Sequence, residues 1–178
     1  MGDVRHKVFI SYHHADQDEV NDFIEDFDDI NDVFITRALG AGMNDDIINS
    51  TNTDYVMRRI RELYLKDSSV TIVLIGKCTR TRRYVDWEIQ ASLRNGNIVK
   101  PNGLLGIKLP SYNSNGYPER LNANLKQNEE QEDCYARIID YPTKGTLINY
   151  IEDAFNARTS RKHLIVNKRD KFAYNRTC

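Results

Sequence analysis

The residues that could carry chemistry gather around one carboxylate. Glu88 sits in the run Arg83-Tyr84-Val85-Asp86-Trp87-Glu88-Ile89, with one aromatic ring four residues before it and another adjacent. On a helix, Tyr84 and Glu88 share a face, because positions four apart stack on one another. A lone helical Glu is ordinarily a solvated surface residue; two aromatic neighbours and a place near the crevice weaken that reading without overturning it alone. His13 and His14 invite a metal or catalytic reading, but adjacent side chains point apart and make a poor shared ligand set, so no metal is expected. Arg37, Arg82 and Arg83 could hold a pyrophosphate, or could equally pair with the acidic helices of the chain. Gly40-Ala41-Gly42 is too short for a phosphate loop, and neither G-x-G-x-x-G nor a Walker motif occurs. Cys78, Cys134 and Cys178 are scattered, odd in number and lack C-x-x-C spacing. That pattern argues against a disulfide framework or a zinc site and fits a reducing compartment.

These side chains need elements to position them. Lys7-Val8-Phe9-Ile10-Ser11-Tyr12 reads as a buried strand stopped by polar residues. Val20, Phe23, Ile24 and Phe27 then fall on one helical face, with Asp16 as a plausible N-cap. From Asp16 to Asp32 there are nine carboxylates and no Lys or Arg, the pattern of a solvated outer face. Val33-Phe34-Ile35 reads as a second strand, followed by a loop from Arg37 to about Asn52. Val56, Ile60 and Leu63 mark a second helix. Val70 to Gly76 is apolar nearly throughout, as expected of a strand covered on both faces. A helix from about Arg82 to Arg94 carries Glu88. Leu104 to Leu109 and Tyr135 to Ile139 supply two further strands. Leu147, Ile151, Ala154 and Phe155 mark a last helix. Residues 110–134 are long and polar and read as an insertion or lid, since loops beyond ~15 residues are unusual unless functional or disordered.

Strands alternating with helices, without hairpin signals, predict an α/β domain: a central parallel sheet of about five strands with helices on both faces. Ligands of such sheets bind outside the carboxyl ends of the strands. That rule selects Ser11 to Asp16, the Arg37–Asn52 loop, Gly76 to Arg83 and the 110–134 segment. Glu88 lies on the helix that starts at this same edge. A length of 178 residues fits one domain, over residues 1–158, with a basic C-terminal extension over 159–178. That extension has six basic residues against one acid, and reads either as a solvated tail packed by Leu164, Ile165 and Val166 or as a docking surface for an acidic partner. The net charge of -1 gives no argument for nucleic acid. No run approaches the ~20 apolar residues of a membrane span, and no apolar signal region opens the chain. Neither nucleic acid nor membrane is therefore an expected partner, and a cytoplasmic protein is.

The run Val8-Phe9-Ile10-Ser11-Tyr12, followed by an acidic helix, resembles the first-strand motif of TIR domains. The run Arg83 to Ile89, after the apolar third strand, resembles the motif around their catalytic glutamate, with Tyr84 in the aromatic position four residues before it. TIR domains more often carry Trp followed by Cys there; Tyr84-Val85 resembles the divergent prokaryotic group that includes the ThsB proteins of Thoeris anti-phage defence. The resemblance covers roughly residues 6–155 and implies the flavodoxin-like TIR fold. It also implies an NAD-consuming enzyme with Glu88 at its centre. NAD would be the substrate, with no cofactor. The product would be ADP-ribose or a cyclic or variant ADP-ribose, coupling the protein indirectly to a separate ThsA-like effector. Self-association through the domain is implied too, since a neighbouring subunit commonly completes such sites.

The bond between ribose and cationic nicotinamide breaks to a neutral leaving group, so no general acid is needed. The ribose gains oxocarbenium character, which a carboxylate such as Glu88 steadies. Phe9 and Ser11 would frame the pocket, and Tyr12 and His13 its mouth; Ser11 could as well cap backbone. Tyr84 or Trp87 would pack against a ring of the substrate, unless core packing claims them. A non-catalytic TIR scaffold is the alternative. A receiver domain is a poor match, because strand one ends in Tyr12-His13-His14 rather than an acidic pair. A flavodoxin is equally poor, since no phosphate loop follows that strand.

Overall fold

The computed structural model describes residues 4–39, 47 and 49–178. Five parallel strands form one sheet: β1 (His6–Ser11), β2 (Phe34–Leu39), β3 (Val70–Ile75), β4 (Gly103–Lys108) and β5 (Arg137–Ile139). Their order across the sheet is β2-β1-β3-β4-β5. The chain thus builds outward from β1 in one direction, then returns to build the other way from β3. The carboxyl ends of β1 and β3 flank the resulting switch point, where the crossing connections part and leave a crevice.

Helix α1 (Gln17–Ile24) follows a short 3-10 turn at His14–Asp16, and wider π-type turns carry it on to Ile30. Helix α2 (Thr53–Ile60) starts where the Asn52 side chain accepts the Tyr55 N–H. Helix α3 (Arg83–Ser92) carries Glu88, α4 (Glu119–Asn122) is a single turn, and α5 (Lys144–Ser160) closes the fold. Among the described residues, no helix is long and apolar enough to cross a membrane.

Strand alternation sorts the core into two layers. Val8, Ile10, Ile72 and Leu74 face α1 and α5, meeting Val20, Phe23, Leu147 and Ile151. On the opposite face, Val73 and Ile75 meet Val85 and Ile89 of α3. Phe9 meets Val56, Met57 and Ile60 of α2 together with Trp87 and Ala91 of α3. All six residues of β3 are buried, which accounts for its unbroken apolar run.

Several expectations are adjusted. Strand β2 runs on to Leu39, so Arg37 lies within a strand and not in the loop; residues 40–46 and 48 of that loop are outside the described residues. Leu63 faces solvent, and Leu65 takes the buried place. Asp16 makes no side-chain cap on α1. Its carboxylate instead accepts the Thr79 hydroxyl at 3.3 Å, across the switch point. Residues 110–134 dock against the body: Leu121 is buried beside Ile75 and Tyr135, and Arg120 is wholly buried.

At the start of β4, α5 packs directly on the strand backbone. A Cβ on Gly103 would stand 2.0 Å from the Ala154 carbonyl oxygen. Backbone cannot yield as a flexible side chain can. Gly103→Ala is therefore expected to destabilise the fold by about 1–3 kcal/mol, the usual cost of overpacking. Urea unfolding followed by circular dichroism measures it, and an unchanged midpoint would show that α5 does not bear on this strand.

Candidate active site

The carboxyl end of β1 and the middle of α3 meet at the switch point. Ser11 is the last residue of β1 and shares the face of Phe9, toward α3. Its hydroxyl donates to Glu88 Oε2 at 2.5 Å. Glu88 is 1% exposed. The helix is held in this rotation by its flanks, with Val85 and Ile89 in one apolar cluster and Trp87 and Ala91 in another. The carboxyl group is left facing the strand end between them.

Burial decides its protonation. Loss of water pushes the Glu88 carboxyl up to about 8, and the Ser11 hydrogen bond offsets only part of that. Tyr12 is raised as well, first by burial and then by the Glu88 charge, against the lowering effect of the bond its hydroxyl donates to Gln17. His13 is lowered to about 4, chiefly by burial and then by the nearby Arg82 and His14. It is therefore a neutral imidazole at neutral pH. The rings of His13 and His14 meet edge to face at 4.6 Å.

Tyr12, His13, His14, Arg82, Tyr84, Val85 and Asn175 enclose a cavity of about 30 Å³ one helical turn before Glu88. That holds roughly one water, against ~300 Å³ or more for ordinary ligand pockets. A much larger groove of about 660 Å³ lies elsewhere, between α2 and the end of α3. There Arg61 caps α3 by donating to the Ala91 carbonyl at 2.5 Å. Its size does not make it the site, because its walls hold neither Glu88 nor any other group at the switch point.

The expected site residues thus divide. Ser11 and Glu88 touch, and Tyr12, His13 and Tyr84 line the small cavity beside them. Phe9 and Trp87 are core residues behind the carboxylate, and neither lines that cavity. Tyr84 meets Trp87 edge to face, with ring centres 6.1 Å apart. Arg37 is on β2, and its side chain is outside the described residues. Arg82 and Arg83 do not turn to the acidic helices. Arg82 donates to Thr81 Oγ1 and to the Arg176 carbonyl, and Arg83 to the Ala173 carbonyl.

Those last bonds reveal what the sequence did not: the basic tail lies across α3. Both polar groups of Phe172 are used, its N–H donating to Asp86 Oδ2 at 2.8 Å and its carbonyl accepting the Trp87 indole N–H at 2.7 Å. Asn175 Oδ1 accepts the Arg83 N–H at 3.0 Å, supplying the N-cap that Arg82 does not. Asp86 also holds Arg120, at 3.0 and 3.3 Å, and both are almost fully buried. Arg120 in turn donates to the carbonyls of Arg169 and Asp170. The cysteine reading is corrected as well, since Cys78 and Cys178 form a disulfide that fastens the tail to the loop after β3. Their separation of 100 residues conceals the pairing from any local pattern. Only Cys134 is free, and it is buried.

A five-stranded parallel sheet of this order, with a carboxylate at its switch point, defines a flavodoxin-like α/β domain of the TIR type. The family model described as the TIR-like domain of the Thoeris protein ThsB matches residues 9–114, and the chain belongs to that family. The match runs from β1 past β4 and includes Glu88, but stops short of α4, β5, α5 and the tail. No curated protein matches the chain closely enough to count as a relative. The protein is thus a TIR module related to Thoeris defence.

The raised Glu88 carboxyl has a thermodynamic signature. Between pH 4.5 and about 8 the folded state holds a proton that the unfolded chain has lost. Stability therefore falls as pH rises through that window, by about 1.4 kcal/mol per unit. Glu88→Gln carries no such proton, so it should gain on wild type from pH 4.5 to 8, with a constant difference outside that range. Urea melts of both proteins across pH test this; a gap independent of pH would mean that the carboxyl is hydrated.

Proposed function

We propose that this domain cleaves the nicotinamide–ribose bond of NAD, with Glu88 steadying the cationic ribose, and releases a cyclic or variant ADP-ribose as a defence signal. The observation that carries this reading is the buried Ser11–Glu88 pair at the switch point of the sheet. A carboxylate in a water-poor crevice acts on a developing positive charge far more strongly than one in solvent. Nicotinamide departs neutral, so no acid has to protonate it. The neutral His13 at the mouth adds no positive charge to oppose the ribosyl cation.

The reaction needs Glu88 ionised and NAD admitted. Opening the crevice serves both, since water or a cationic substrate beside the carboxyl lowers its pKa. Self-association through the domain would favour the open form and complete the walls of the site. The product would then act on a separate ThsA-like effector, within the cytoplasm where NAD is abundant. No metal or cofactor enters this scheme.

A non-catalytic scaffold is the second reading, favoured by the closed cavity of about 30 Å³. Mass spectrometry of NAD reactions separates the two. Purified protein, with and without a crowding agent, and lysate from phage-infected cells would each be assayed for nicotinamide. Under the enzymatic reading wild type releases it, and Glu88→Gln lowers the rate by about 100-fold or more, the scale of a lost electrostatic stabiliser. Equal product from both proteins would remove Glu88 from the chemistry, and silence of wild type under every condition would leave the scaffold.

The pH dependence gives a separate check. Ionised Glu88 is the active form, so kcat/KM should climb with pH and level off above about 8. A profile flat from pH 5 to 9 would contradict that role.

A further inference from the structure

We infer that Cys78 and Cys178 form a redox latch, reversible by a dithiol reductant, that holds the tail over the mouth of the Glu88 site. The inference rests on the NAD reading for its catalytic consequence, but not for the latch itself.

The tail contributes a wall to the crevice. Asn175 lines the small cavity together with Tyr12, His13, Tyr84 and Val85. It is pinned there through the Arg83 N–H, and its neighbour Arg176 donates its N–H to the Thr81 carbonyl at 2.9 Å. Of the elements bordering this cavity, β1 and α3 belong to the packed core. The tail is not in the sheet and buries just one large apolar side chain beyond Ile165, that of Phe172. Its exposed last residues, 173–178, are therefore the segment that can leave without disrupting the fold.

The Phe172 clamp and the Glu119 pairs hold its middle, and it is anchored at both ends. At one end Leu164 and Ile165 pack against the core. At the other the disulfide ties Cys178 to Cys78, directly after β3. A strap fixed at two points has little freedom to lift. Cut at Cys178, the exposed segment beyond Phe172 keeps only a few hydrogen bonds and the Arg176–Glu119 pair, and chain ends held so lightly fray.

The bond is placed for exchange. Cys178 is exposed and Cys78 is partly so. A thiolate of the reductant attacks the Cys178 sulfur and expels Cys78 as thiolate. Lys77 and Arg80, two residues or fewer from Cys78 in sequence, favour that leaving thiolate. The second thiol of the reductant then resolves the mixed disulfide and frees Cys178. Two electrons and two protons pass from the dithiol to the pair, and the reductant leaves as a disulfide. Exposed disulfides are the reducible, regulatory class, in contrast to buried structural ones.

The chain's single tryptophan reports on the latch directly. Trp87 is buried under the tail, with Phe172 accepting its N–H and the Lys171 ammonium 4.5 Å from its ring centre. The test compares full-length protein after mild oxidation, after dithiothreitol, and as Cys178→Ser. Expected are one reactive thiol or none in the oxidised protein and two more after reduction. Reduction and Cys178→Ser should both shift Trp87 emission to the red, speed amide exchange over residues 170–178 at least tenfold, and raise nicotinamide release at least tenfold. Cys178→Ser should not respond to dithiothreitol. Failure of the oxidised pair to form, or emission and exchange identical in all three states, would overturn the latch. If emission and exchange shift while no state releases nicotinamide, the latch stands and the NAD reading falls. If nicotinamide is released equally in all states, the NAD reading stands, and the tail does not gate it.

Discussion

One carboxyl group taken out of water sets the terms for the whole crevice. Among the described residues Glu88 has a single hydroxyl as its partner, and that hydroxyl comes from the residue that ends β1. The contact exists because two apolar clusters grip the same helix on either side. Val85 and Ile89 fix it to β3 and β4, while Trp87 and Ala91 fix it to α2. A rotation of α3 by one position would bury a charged residue against the sheet and turn Ile89 outward. The burial of three large apolar side chains, Val85, Trp87 and Ile89, each worth about 1.5–3 kcal/mol, outweighs the cost of holding one neutral acid in a dry place. The acid is tolerated because it stays protonated.

A second buried carboxyl group, Asp86, is managed differently. Its oxygens face the Arg120 guanidinium and the Phe172 N–H, so both are satisfied. A buried ion pair adds little net stability, since desolvation cancels most of the attraction. Losing either partner costs much more. The pair therefore acts as a register mark, joining α3 to α4 and to the tail in one arrangement. Two carboxyl groups on one helix, two residues apart, consequently have opposite settings: Asp86 is paired and structural, whereas among the described residues Glu88 is held by one neutral donor. Of the two, Glu88 is the group whose charge remains free to serve chemistry.

The sequence made the inner sheet legible because β1, β3 and β4 are covered on both faces, which leaves runs that are largely apolar. It misjudged the edges. In β2 the polar Thr36 and Arg37 end the apolar signal at Ile35, yet an edge strand with one partner tolerates polar residues and continues to Leu39. In β5 the run Tyr135-Ala136 reads as strand, but Tyr135 is buried to donate its hydroxyl to the Asn102 carbonyl, and pairing starts only at Arg137. Glu88 was legible from its aromatic neighbour four residues back and its place near the strand ends. The Asp86–Arg120 pair, the Phe172 clamp and the Cys78–Cys178 bond were not. Each joins residues 34 to 100 positions apart, and no periodicity records such distances. The positive charge of the tail suggested solvent or an acidic partner, but the structure spends much of it on carboxylates: Arg161 pairs with Asp153 and Asp133, and Glu119 pairs with both Arg169 and Arg176.

For the proposed chemistry, the resting crevice has two defects, and their sizes can be compared. A carboxyl raised to about 8 is ionised in about a tenth of molecules at pH 7, so protonation alone reduces activity only about tenfold. The cavity is a far stronger barrier, because about 30 Å³ admits a water and no part of a dinucleotide. Access, not charge, therefore governs the silent state. The two are nonetheless linked, since whatever widens the crevice also hydrates Glu88 and returns it toward an ordinary carboxylate. An element that controls the opening controls both defects at once. The tail borders the cavity, caps α3 and clamps the two residues preceding Glu88, so its position bears on access and on ionisation together.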